Sequence, residues 1–236
     1  MKMALCFSGQ PRTMEYCYPS IKKHLLDVYD LDVFVCSDDQ KGRIQELYDP
    51  VSMEIYSQDE INRKIGDRLS AYPNCLTSPD KDLSTMWKAR RVGEMLHEVE
   101  EKRGIYDVVV STRFDLKILS LSPITLPQPN CIYLPYLDGL LTLPDSEGKH
   151  FGGYSSQLVW SSSLVAHRHL EFYDTCDEFY HQLGHWHIEE MTKLMYDANG
   201  IGGKLVDMSI MIVRGTNENP LSTDMTPLST HPEFMV

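Results

Sequence analysis

Apolar residues recur along this chain in short continuous runs separated by stretches of helical spacing, a pattern that predicts strand, helix and strand again from the first residues onward. Met3-Ala-Leu-Cys-Phe7 is a run of the length of a buried strand, and the polar turn Ser8-Gly9-Gln10-Pro11-Arg12 ends it. Ile21, Leu25 and Val28 share one face of a helix predicted from about Tyr16 to Tyr29. Leu31 to Cys36 forms the next strand, ending in Ser37-Asp38-Asp39, so the chain opens with a β-loop-α-β unit. Ser52 to Tyr56 is a third strand, after which Ser57 caps a polar helix that fades near Leu69.

A loop rich in Pro, Asn, Ser and Asp is expected from Ser70 to Asp82. Ser84 then caps a helix to about Arg103 with Met86, Val92, Met95, Leu96 and Val99 on its buried stripe. Tyr106-Asp-Val-Val-Val-Ser-Thr112 is the clearest strand and runs into Arg113-Phe114-Asp115. The proline- and leucine-rich segment 120–144 predicts short strands and turns, Cys131 to Leu134 best among them. Gln157 to Trp160 is another strand, Ser163 opens a helix to about Leu183, and a further helix runs from Ile188 to Asn199. Leu205 to Val213 is the last strand expected. Alternating strands and helices imply an α/β domain over residues 1–214, its mainly parallel sheet covered on both faces, with an extended tail over 215–236.

Composition narrows the partners. The 22 basic and 34 acidic residues leave a formal net charge of −12, so the chain as a whole does not attract nucleic acid or an anionic membrane, and any anionic ligand must be met by local cations. Six cysteines without a C-x-x-C pair, and no apolar stretch near the roughly 18–20 residues of a membrane helix, lead to the expectation of a cytoplasmic protein with no transmembrane segment.

In a parallel sheet the chemistry collects just beyond the carboxyl ends of the strands. Three such ends are polar here. The turn Ser8-Gly9-Gln10-Pro11-Arg12 offers a glycine for close backbone approach and an arginine that either forks onto a phosphate or sits on the surface. It matches neither a Walker loop nor G-x-G-x-x-G. Ser37-Asp38 supplies either acceptors for a ribose or base edge, or the start of a turn. Arg113 and Asp115, one residue apart, share a face of an extended segment, and Asp115 can offer a carboxylate to a hard divalent cation.

The Ser8–Arg12 turn, Asp32-Val-Phe-Val and Tyr106-Asp107-Val-Val-Val-Ser-Thr-Arg113-Phe114-Asp115, with Glu190, Gly200-Ile201 and Ile212-Val213-Arg214 following in order, resemble a family of small GT-A-type glycosyltransferases of bacterial surface-polysaccharide clusters and large algal viruses. The resemblance implies a GT-A-like nucleotide-diphospho-sugar transferase. Such an enzyme, of hexosyltransferase type, would take a UDP- or GDP-type nucleotide-sugar donor and a glycan acceptor, assisted by Mn²⁺ or Mg²⁺. It also implies a DXD-like metal site at the end of the central strand. Arg113 replaces the first aspartate of that motif, leaving Asp115 to hold the metal and Arg113 to reach the donor.

Lys88 and Arg91, three apart on one helix, are then diphosphate contacts or a solvated basic face. For a general base acting on the acceptor hydroxyl the candidates are Glu190, Glu189 and Asp138, in that order, with helix N-terminal charge as the plainer role of the two glutamates. His181, His185 and His187 have no H-E-x-x-H or cysteine partner, which argues against zinc. Two other classes stay open: a sugar-phosphate nucleotidyltransferase, releasing pyrophosphate, and a non-catalytic nucleotide-sugar-binding module.

Overall fold

A computed structural model describes residues 1–72, 79–135, 143–144, 150–151, 157–215 and 220–223. In chain order the elements are β1 (Met3–Ser8), α1 (Met14–Ile21), β2 (Leu31–Ser37), α2 (Lys41–Tyr48), β3 (Ser52–Ile55), α3 (Gln58–Leu69) and α4 (Pro79–Arg103). They continue with β4 (Val108–Thr112), β5 (Leu116–Leu121), β6 (Cys131–Pro135), β7 (Leu143–Pro144), β8 (His150–Phe151) and β9 (Leu158–Ser161). Last come α5 (Ser163–Leu170), α6 (Phe172–Leu183), α7 (Ile188–Ala198), β10 (Gly202–Val206), β11 (Met208–Gly215) and β12 (Pro220–Thr223).

Seven strands form one sheet in the order β10-β6-β9-β4-β1-β2-β3. Only β9 runs against the rest, pairing antiparallel with β4 and β6 on its two sides. The expected α/β architecture, a mainly parallel sheet flanked by helices, is therefore present. The first strand shows why its run is continuously apolar. Met3, Leu5 and Phe7 enter one core with α1, α2, β5 and β11, whereas Ala4 and Cys6 enter the other with α3, α4, α5, α6 and α7. Successive side chains of a strand point to opposite faces, and both faces of this one are covered.

Several boundaries differ from those the sequence predicts. The first helix begins at Met14 and widens into a π-helical turn over Lys22–Leu26. Helix α2, which the periodicity did not reveal, buries only Ile44 and Tyr48 in two turns. Helix α4 starts at Pro79, within the segment expected to be a loop up to residue 82, with Asp80 and Asp82 in its first turn. Proline is suited to a first helical turn because it has no N–H to leave unpaired there. The helix expected from Ser163 breaks at Glu171 into α5 and α6. The last strand divides at Asp207: β10 joins the large sheet, and β11 pairs with β5 and β12 in a separate three-stranded sheet. Within the expected tail, 220–223 is thus a paired strand.

Ser57 does cap α3 as expected. Its hydroxyl accepts from Glu60 N–H at 3.3 Å while the Glu60 carboxylate accepts from Ser57 N–H at 2.7 Å, a reciprocal capping box. Among the described residues, Cys6, Cys17, Cys36, Cys131 and Cys176 are free thiols, and burial pushes the ionisation of Cys17 and Cys176 up to about 11. They pack as small apolar groups. No helix among the described residues is long and apolar enough to cross a membrane.

Candidate functional site

Strands β1 and β4 lie side by side, with Phe7 opposite Thr112, so the turn after Ser8 and the segment after Thr112 emerge at the same end of the sheet. There they border a cavity of about 670 Å³ whose wall includes Ser8, Gly9, Gln10, Arg12, Lys88, Arg113 and Asp115. Helix α3 contributes Gln58 and Asn62, and the first turns of α4 contribute Asp80 to Asp82, Ser84 and Thr85. Gly9 holds φ at +130°, a conformation that disfavours any side chain, and its N–H reaches Cys36 O at 3.3 Å. The turn is thereby fastened to β2.

Phe114 explains how Arg113 and Asp115 come to face the cavity together. Fully buried, its ring stacks on Phe7 with centroids 4.8 Å apart and anchors the turn over 114–115, between β4 and β5, that brings Asp115 beside Arg113. Val213 N–H donates to Asp115 O at 2.7 Å, and Thr13 Oγ1 donates to Val213 O at 2.9 Å, so β11 and the start of α1 fix the backbone here. Arg113 then folds onto its neighbour. Its Nε donates to Asp115 Oδ1 at 2.8 Å and its terminal nitrogen to Oδ2 at 2.7 Å, in a two-pronged ion pair.

Lys88 is the other unusual cation. Only 1% exposed, it places Nζ 3.4 Å from Asp38 Oδ2, longer than the roughly 2.7–2.9 Å of a strong charge-assisted bond. Burial lowers the Lys88 pKa, the Asp38 charge opposes that shift, and Arg12 adds to it. Asp38 Oδ1 is buried with no hydrogen-bond partner among the described residues.

A second, smaller cavity of about 260 Å³ adjoins the first, and Ser8, Asp82, Thr85 and Arg113 line both. Its remaining wall includes Gln157, His169, Phe172, Glu189 and Thr192. Burial raises the pKa of Glu189 above its ordinary value, helped by the negative charges of Asp82 and Glu190 and opposed by a backbone hydrogen bond and His187. Burial also pushes His169 down to about 4, leaving a neutral ring whose Nδ1 shares a 2.9 Å hydrogen bond with the Tyr196 hydroxyl. Gln157 Oε1 is buried with no partner among the described residues.

The other sequence candidates lie elsewhere. Ser37 is fully buried and donates its hydroxyl to Gly9 O at 3.0 Å, which makes it a brace for the turn. Asp38 stands behind Lys88 and is absent from both cavity walls. Arg91 is also off both walls: it forks onto Glu54 at 2.9 and 2.7 Å, tying α4 to β3. Glu190, the first choice for a base, is 7% exposed behind the smaller cavity, with His185 at 3.2 Å and its own N–H capped by His187 Nδ1 at 3.4 Å. Glu189, its neighbour, is the one on the wall. Asp138 lies outside the described residues.

Gln58, Asn62, Asp80, Lys81, Gln157 and His169 were not anticipated. A proline at 79 followed by Asp80 and Asp82 was a readable helix-start signal for the α4 group. Nothing in the local sequence distinguishes Gln157 or His169.

No protein-family model matches this chain, and no curated protein sequence does. Among solved structures, apo mouse xyloside xylosyltransferase 1 aligns over 87% of this chain and 85% of its own, with 10% identity and a TM-score of 0.48. A likeness of that degree assigns neither an activity nor a residue role.

The donor set decides how well Asp115 suits Mn²⁺ or Mg²⁺. Such ions take octahedral oxygen ligands and need lone pairs directed at them. Both Asp115 oxygens already accept from Arg113, and a dication placed on them would stand against the guanidinium. Asp82, on the same wall, accepts from the Trp186 indole at 2.9 Å. Among the described residues the one group of three His, Cys, Asp or Glu side chains close enough to share an ion is His97, Glu100 and His167, outside both cavity walls. Beside the Arg113 guanidinium, and with no two further His, Cys, Asp or Glu groups gathered around it among the described residues, Asp115 does not fit a divalent cation.

Proposed function

We propose that this chain is a glycosyltransferase: it moves a sugar from a nucleotide-diphosphate donor of UDP or GDP type to a carbohydrate acceptor. The observation that carries this reading is the pair of adjoining cavities meeting at Arg113: the larger has Arg12, Lys81, Lys88 and Arg113 on its wall beside Asp80, Asp82 and Asp115, and the smaller holds the half-buried carboxylate of Glu189. The position at the carboxyl ends of parallel strands is where an open α/β sheet receives ligands. The helix-flanked, mainly parallel sheet is that expected of a GT-A-like enzyme.

In this reading the donor diphosphate lies in the larger cavity and the acceptor in the smaller. Glu189 takes the proton of the acceptor hydroxyl as that oxygen bonds to the anomeric carbon. The bond from that carbon to the diphosphate oxygen breaks, and the charge left on the departing nucleoside diphosphate is met by Arg113, Lys88 and Arg12. Gln157 Oε1, lacking a donor among the described residues, suits a sugar hydroxyl. A raised pKa serves Glu189, because the ionised carboxylate is then a stronger base than an unperturbed one.

Incubation with UDP- and GDP-sugars, followed by measurement of released UDP or GDP, tests the proposal. Slow donor hydrolysis without acceptor is expected. Pyrophosphate release would instead identify nucleotidyl transfer, and saturable binding without turnover a binding module. Glu189→Gln is expected to lower transfer on the order of 10²–10⁴-fold with donor affinity unchanged. It should also remove the acid limb of the pH-rate profile, where activity rises as Glu189 loses its proton. Unchanged turnover in Glu189→Gln would remove it as the base.

A further inference from the structure

Arg113 occupies the position where a second carboxylate would help hold a metal, and it brings its own counter-ion. We propose that the donor diphosphate binds here without a divalent cation, held by the Arg113 guanidinium with Lys88 and Arg12, and that Asp115 is the positioning residue that aims Arg113. The proposal rests on reading the larger cavity as a nucleotide-diphosphate site.

A guanidinium has five N–H donors in a rigid plane. Asp115 takes two, the Nε–H and one on a terminal nitrogen, which fixes the plane and leaves three for a ligand. Arg113 lines both cavities, so a phosphate reaching those donors would lie at the junction where the sugar is handed over. The backbone of Asp115 is itself fixed by Val213 N–H at 2.7 Å, so the fork is mounted on a rigid base.

Lys88 adds a cation whose burial costs free energy and whose partner at 3.4 Å satisfies it incompletely. Arg12 and Lys81 line the same wall and carry no ion pair among the described residues. A phosphate oxygen between these groups would complete them. Fixed cations can supply the charge neutralisation that a metal ion supplies elsewhere.

The test is calorimetric titration of the full chain with UDP and with GDP, once in EDTA and once in Mn²⁺ or Mg²⁺. The nucleotide that binds should do so with dissociation constants equal within about threefold in the two conditions, a difference below about 0.7 kcal/mol. Binding only with the cation, or tightened tenfold or more by it, overturns this proposal and leaves the transferase reading standing. No binding of either nucleotide in either condition overturns both.

Arg113→Lys loses the fork while keeping the charge, and should weaken binding about tenfold in both conditions. Asp115→Asn should weaken it severalfold, again equally; a loss confined to cation-containing samples would make Asp115 a metal ligand. Arg113→Asp removes the fork and supplies a second carboxylate. In EDTA it should bind at least tenfold more weakly than the parent, with part of the loss restored by Mn²⁺. Retention of parental affinity in EDTA by Arg113→Asp, with its circular dichroism unchanged, would overturn the proposal.

Discussion

Helix α4 carries a buried charge toward each end, and the two are treated in opposite ways. Near its carboxyl end Glu100, 7% exposed, accepts from Tyr106 N–H at 3.0 Å, from Ser163 Oγ at 2.6 Å and from His167 Nε2 at 2.7 Å. Burial pushes its pKa up, the hydrogen bonds of His167, Ser163 and Tyr106 outweigh that push, and the carboxyl ionises below its usual value. Nearer the amino end Lys88 has one partner at 3.4 Å, and the partner's second oxygen has none among the described residues. A saturated buried charge joins elements together: Glu100 ties α4 to the approach to β4 and to the start of α5. An unsaturated one on a cavity wall keeps capacity for a ligand, at a cost in stability that a charge confined to structure would not carry.

Four measurements would break or sharpen that contrast. The largest effect is expected for Glu100→Ala, which strands the Tyr106 N–H and Ser163 hydroxyl and should lower the unfolding free energy by about 3–5 kcal/mol in urea titration. Nucleotide affinity of the folded fraction should be unchanged. Replacing the other pair together, Lys88→Met with Asp38→Leu, should leave stability within about 1 kcal/mol of the parent or raise it, because two imperfectly satisfied ions leave the interior. The same double variant should bind the donor nucleotide about tenfold more weakly or worse. Comparable destabilisation by both changes would erase the distinction.

The pH dependence is a smaller effect with a defined sign. Because the folded pKa of Glu100 is depressed, its contribution is fully present above the ordinary glutamate value of about 4.3 and is lost as pH falls through the lower folded value. Thermal unfolding across that window should show a shallower acid loss in Glu100→Gln than in the parent. The smallest effect is expected for Ser57→Ala beside the cavity: about 1 kcal/mol of stability lost with the capping box and no change in nucleotide affinity. A change in affinity there would mean that proximity to the cavity, not incomplete satisfaction, marks the functional groups.

What could be read before the structure differs between fold and site for one reason. Strand β1, strand β4 and the Ser57 cap are set by neighbouring residues, through apolar runs and a serine three places before a glutamate, so they were legible. Arg113 and Asp115 were expected to share a face of an extended segment; they do meet, but a turn at Phe114-Asp115, not strand alternation, brings them together. Arg91 and Lys88 looked equivalent on their helix, yet one forks onto Glu54 and the other lines the cavity. Glu190 was ranked ahead of Glu189 as the base, yet a single helical step puts Glu189 on the wall and leaves Glu190 off it. The segment 205–213 kept one apolar alternation across a change of sheet, which a period of two residues does not register.

The sequence by itself determined the alternation of strands and helices, the doubly covered sheet and the polar strand ends, because each depends on spacing within a few residues. Only the tertiary structure decided that Arg113 is forked by Asp115, that Lys88 is buried against Asp38 and that Glu189 meets Gln157 and His169 on one wall. Asp38 and Lys88 are far apart along the chain, as are Gln157 and Glu189. Their pairing is a property of how the helices settle on the sheet, which no local pattern encodes.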